Sequence, residues 1–142
     1  MDFSFASALM MASALIILGL GSMHLLLTFR GPALHPRDAA LQARLMEVPL
    51  VLTRETTMWR AWIGFNASHS FGAMLFGLVY GYLAFAHAAM LFASAFLLSL
   101  GFVLLGGYVF LARRYWFRIP FRGILIATIL YAAAILTQWS HA

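Results

Sequence analysis

In "WRAWIGFNASHS", residues 59–70, an amide and an imidazole stand three residues apart behind two tryptophans. No Asp, Glu, Lys or Arg occurs from Ala61 to Ala112, so Asn66 and His69 fall where apolar side chains are the rule. Asn carries donor and acceptor on one amide, and a neutral imidazole carries one of each. Such a pair can bond to each other, hold a polar headgroup or, through imidazole nitrogen, ligate iron. Residues three and four apart share a helix face. Steps of four and three from Glu55 therefore collect Trp59, Trp62, Asn66, His69, Ala73, Phe76 and Tyr80 on one stripe, opposite Ala61, Ile63, Phe65, Leu75 and Leu78.

A second histidine matches this depth. In "GLGSMHLLLTFRG", His24 precedes Arg30 by six residues, whereas His69 follows Arg60 by nine. At the helical rise these offsets are about 9 and 13 Å, so the two imidazoles can meet. Gly19 and Gly21 would admit a neighbouring helix closely. Two readings of the constellation stay open. In one, Asn66, Ser68 and Ser70 join helices by hydrogen bonds, such as Asn66 to His69 or Asn66 to His24. In the other, His24, Asn66 and His69 form the polar floor of a pocket walled by Trp62 and Phe76. Two imidazoles on facing helices suffice as haem ligands and one suffices for a chlorophyll-type pigment, held non-covalently because the chain has no Cys. A metal site is not expected: no carboxylate accompanies the two histidines, and His35, His87 and His141 lie at loops or on the far side.

The other chemistry-bearing stretch is "GGYVFLARRYWFRIPFRG", where Tyr108, Tyr115 and Trp116 interleave with Arg113, Arg114, Arg118 and Arg122. Either this is an aromatic belt with snorkelling arginines, or its guanidinium forks, with Arg60, hold an anionic headgroup or cosubstrate. Nucleophile triads, Gly-rich phosphate loops and paired intramembrane carboxylates are absent. Glu55 is the one acid near the proposed pocket.

The elements that position these residues follow from composition. Of 142 residues, 64% are hydrophobic and 9% charged, too few charges to solvate a globular surface. The solvent is a lipid bilayer. Uncharged runs at 3–29, 61–112 and 123–142 predict an all-α, four-helix transmembrane bundle in one domain, with spans 4–28, 58–84, 88–112 and 120–140. A tight turn near His87 divides the middle run. Leu41, Leu45 and Val48 against Arg37, Asp38, Gln42 and Arg44 predict a short interfacial amphipathic helix over 37–47, ended by Pro49. Thr53 or Thr56 is the expected cap of the second span.

All nine basic residues are arginines, and they occupy two loops, 30–60 and 113–122. By the positive-inside rule both loops are cytoplasmic, with both termini and the His87 turn periplasmic, in a bacterial inner membrane. The charge of +5 does not imply nucleic acid, because the arginines flank apolar spans and form no continuous basic face.

"GFNASHS" and "RRYWFRIP" resemble stretches of a family of small four-span bacterial membrane proteins without an assigned activity, a likeness covering most of the chain. Arg60-Ala61, Asn66 and "RIPFR" (118–122) are also similar to elements of the membrane-associated eicosanoid and glutathione metabolism (MAPEG) family. That likeness implies four spans and a cosubstrate such as glutathione near the cytoplasmic side. The family's Glu three residues after Asn is His69 here. Two functional expectations result. One is a non-catalytic subunit of a larger membrane complex, or a homo-oligomer, binding lipid, quinone, haem or pigment. The other is a MAPEG-like enzyme acting on a lipophilic substrate. The first is preferred, since no positioned acid–base pair is present.

Overall fold

The computed structural model describes residues 4–140, so His141 lies outside the described residues. These form six helices and no strand: α1 (Phe5–Phe29), α2 (Ala39–Glu47), α3 (Met58–Ala86), α4 (Ala88–Ala93), α5 (Ala95–Tyr115) and α6 (Arg118–Ser140). α1, α3, α5 and α6 are long and apolar enough to cross a membrane. The chain is thus an all-α, multi-pass membrane protein with four spans.

Local chemistry explains where the bounds depart from expectation. The third span begins at Ala95 because Ser94 interrupts the helical run: its hydroxyl accepts from Leu97 N at 3.2 Å and starts a new helix. The reversal at His87 therefore includes the short helix α4. The last span begins at Arg118, with Pro120 inside its first turn, where a missing N–H costs no helical bond. The cap of α3 is neither Thr53 nor Thr56. Thr57 Oγ1 accepts from Arg60 N at 3.4 Å, while Thr53 Oγ1 takes Glu55 N at 3.2 Å in a separate turn. Glu55 consequently lies before the helix, exposed, and does not extend the stripe of α3. α2 starts two residues later than expected because Asp38 caps it, accepting from Ala40 N and Leu41 N.

The chain divides into two compact units. The first comprises residues up to Leu20 and from Ala73 onward. Its core joins Met10, Ala14 and Ile17 of α1, Phe76 and Tyr80 of α3, Leu98 and Leu105 of α5, and Ala127 and Tyr131 of α6. Close approach of α1 and α3 rests on Gly77: a Cβ there would lie 2.6 Å from Leu18 Cβ and 2.7 Å from Ala14 O. The sequence reading places this role on Gly19 and Gly21; Gly19 has open space around it. Gly101 serves α5 similarly. Its missing side chain makes room for the Tyr131 hydroxyl, which donates to Leu98 O at 3.0 Å beside Tyr80 donating to Leu97 O at 2.6 Å.

The second unit is Gly21–Gly72. It holds the end of α1, the arginine-bearing loop with α2, and the first half of α3.

Candidate functional site

Within the second unit the end of α1 and the start of α3 bring His24, Asn66 and His69 together. His24 Nε2 and Asn66 Oδ1 are 2.9 Å apart. The Asn66 amide nitrogen donates to Trp62 O at 2.8 Å, which turns Oδ1 toward the imidazole. His24 Nε2 therefore carries the proton and donates. The His69 ring meets the His24 ring edge to face, with centroids 5.5 Å apart and planes at 89°. The depth argument thus finds its geometric counterpart, and the interhelical bond is Asn66 to His24.

The serines do something different from what the gluing reading expects. Ser70 Oγ donates to Asn66 O at 2.9 Å and Ser68 Oγ to Phe65 O at 3.0 Å, each within its own helix. Thr28 Oγ1 likewise donates to His24 O at 2.8 Å. A helical Ser or Thr hydroxyl can reach a carbonyl in the preceding turn, and these three do so. The histidine–asparagine bond, by contrast, runs from α1 to α3.

One turn before Asn66 lies an apolar pocket of about 170 Å³, lined by Leu34, Pro36, Leu45, Trp59 and Trp62. The Gly31-Pro32 and Pro36 breaks set its wall. They fold the chain after α1 so that Trp62 Nε1 donates to Leu34 O at 3.2 Å. His35 fixes the other side: its ring meets the Trp59 ring at 4.9 Å, edge to face, and its Nδ1 accepts from Gln42 Nε2 at 3.0 Å. Both indoles are thus held by the 34–42 segment. The sequence reading made Trp62 a pocket wall but gave Trp59, Leu34, His35, Pro36 and Leu45 no part in the pocket. The available signal was the Pro-flanked "ALHP" between the span and the amphipathic helix.

The remaining candidates are placed elsewhere. Phe76 belongs to the first unit, 3% exposed, and stacks on Tyr80 with ring centroids 4.5 Å apart. Arg113, Arg114, Arg118 and Arg122 are exposed in that same unit, and Arg60 is exposed in the second. Two of them sit over rings, Arg113 over Phe121 at 5.8 Å and Arg114 over Tyr115 at 5.7 Å. Such cation–π contacts hold a guanidinium at a belt without preventing it from meeting a phosphate.

The haem arrangement meets a geometric obstacle. His24 Nε2 points at the Asn66 oxygen, and edge-to-face contact of the two rings leaves no gap for a macrocycle between them. Among the described residues no three His, Cys, Asp or Glu side chains converge. Fold and site together define a class, a multi-pass membrane protein with a histidine–asparagine cluster beside an indole-walled pocket. No family model matches the chain, and neither does any curated protein or solved structure.

Proposed function

We propose that this chain is a bacterial inner-membrane protein, with both termini periplasmic, that binds the headgroup of a lipid-soluble molecule as a non-catalytic subunit of a larger membrane assembly. The observation that carries this reading is the pocket between the 34–45 segment and the two indoles. Its lining is almost entirely apolar, and two indole faces suit a flat ring or an acyl chain. Polar recognition comes from the next turn of α3, where Asn66, His24 and His69 cluster. A quinone or a phospholipid matches this combination of flat or flexible apolar body and hydrogen-bonding head. Haem or another pigment matches it less well, because His24 is already engaged by Asn66.

The test is the inventory of lipophilic molecules that stay with the protein after purification in mild detergent, measured by mass spectrometry. The wild-type chain retains one species well above its share of the membrane extract. Leu45→Trp, which fills the pocket, and His69→Leu, which removes a polar group from the floor, both release it without unfolding the helices. Retention of bulk phospholipid alone, equal in all three proteins, would defeat the reading.

A further inference from the structure

Between α2 and α3 the chain doubles back as a pinned loop. Met58 N donates to Val48 O at 2.9 Å, and Pro49 pairs with Thr57 in an isolated antiparallel bridge. These bonds close its base, and the Thr53 turn shapes the return limb. At the far end two aliphatic side chains stand fully out: Val51 is 110% exposed and Leu52 is 90% exposed, the highest values among the exposed large hydrophobics. Leu41 and Met46 of α2 are also roughly half exposed.

Contiguous exposed apolar surface marks a place that something else covers. Three observations point to what covers this one. The loop belongs to the segment that joins the end of α1 at Phe29 to the start of α3 at Met58, so the nearest large apolar phase is the leaflet at those helix ends. Arg54 lies two residues past Leu52, and Arg60 stands just beyond the base. The acids of the segment are partly committed: Asp38 caps α2, and Glu47 pairs with Arg44 at 3.5 Å, the only ion pair among the described residues. Five arginines therefore face three acids over residues 30–60, of which only Glu55 lies in the loop itself.

We propose that the 48–57 loop is a leaflet anchor, with Val51 and Leu52 inserted among the acyl chains and Arg54 and Arg60 on the phosphates of anionic phospholipids. Apolar side chains below and guanidinium groups at the headgroup level are the arrangement by which interfacial elements bind anionic membranes. The anchor holds α2 against the surface through the same loop base. α2 needs such help, since it is nine residues long and buries no side chain of its own.

The chain has no cysteine, so a single Leu52→Cys substitution takes an environment-sensitive NBD label at one place in the full-length protein. The labelled protein is reconstituted in phosphatidylcholine vesicles with and without phosphatidylglycerol. With phosphatidylglycerol, the emission shifts to the blue, a nitroxide on the acyl chains quenches it, and aqueous iodide does not. A label at Glu55→Cys stays accessible to iodide. Adding Arg54→Gln lowers the ratio of shielded to accessible Leu52 label by about fivefold, the worth of one arginine at an anionic surface. Water-like, iodide-quenched emission at position 52 in both vesicles overturns the proposal and leaves the tip to a protein partner. Shielding that is equal in both vesicles and indifferent to Arg54→Gln overturns the role of anionic lipid.

Discussion

His24 donates from Nε2 to Asn66 Oδ1 across 2.9 Å, joining α1 to α3 beside the ring of His69. The bond is asymmetric in its dependence. Asn66 has a second anchor, the Trp62 carbonyl, whereas the His24 donor faces that one oxygen. Asn66→Leu therefore leaves His24 without its acceptor, and His24→Leu leaves the Asn66 amide still oriented by Trp62.

Asn66→Leu accordingly destabilises the protein by about 1–2 kcal/mol, the upper range for polar contacts between membrane helices. His24→Leu costs less. The double mutant recovers part of the sum, with a coupling of about 0.6–1.7 kcal/mol. Reversible unfolding in mixed micelles measures all four corners of the cycle. Strict additivity would show that the hydrogen bond contributes nothing to folding.

Gly77 and Gly19 make opposite predictions from one residue type. A side chain at Gly77 meets the Ala14 carbonyl and the Leu18 backbone, which cannot move aside without parting α1 from α3. Gly77→Val is expected to cost about 1–3 kcal/mol or more as overpacking. Gly19→Ala meets nothing within 4 Å and is neutral or slightly stabilising. Thermal unfolding of the two single mutants in one detergent decides it. Equal losses would remove the close approach from the account.

The two buried phenols share a target. Tyr80 donates to Leu97 O at 2.6 Å, and Tyr131 lies 3.0 Å from Leu98 O and 3.5 Å from Leu97 O. Their rings touch at 5.8 Å, and Tyr131 is fully buried. Tyr80→Phe and Tyr131→Phe each cost about 1 kcal/mol as single losses of a hydrogen bond. Because Leu97 O can be served from either ring, the double mutant costs more than the two singles together. An additive pair would mean that the two phenols act independently.

The spans were legible because bilayer physics is coarse. A run without charge long enough to cross the membrane leaves few alternatives; the ends at Asp38 and Arg118 moved by two residues, whereas the third span starts at Ala95, after Ser94, and not at 88 as expected. The meeting of His24 with Asn66 and His69 was legible for a related reason. Arginines mark the membrane surface, so counting residues from Arg30 and Arg60 gave comparable depths. What the sequence did not reveal depends on side-chain direction and short loops. Tyr131 sits in an ordinary apolar run, and its role depends on Gly101 of another helix. One wall of the pocket comes from "ALHP", which is held by Trp62, far along the chain, and by Gln42 of α2. Phe76 shares the stripe of His69 by period, yet two turns of helix carry it into the aromatic core with Tyr80. Periodicity assigns a face and says nothing of what each level of that face meets.

Orientation supplies the last prediction. Arg30, Arg37, Arg44, Arg54 and Arg60 occupy one inter-helical segment, and Arg113, Arg114, Arg118 and Arg122 occupy the other. Four spans that each cross once would put these segments on one side and the His87–Ser94 reversal, which has no charged residue, on the other. Translocating either arginine segment would work against the membrane potential, at about 2.3 kcal/mol per charge per 100 mV. Retention of both in the cytoplasm is therefore expected. Ala89→Cys in the reversal should react with a membrane-impermeant maleimide added to intact cells, and Arg118→Cys should react only after the cells are opened. The absence of native cysteine makes each label unambiguous. Labelling of position 118 from outside, or protection of position 89, would invert the topology and move the Trp59–Trp62 pocket to the periplasmic side.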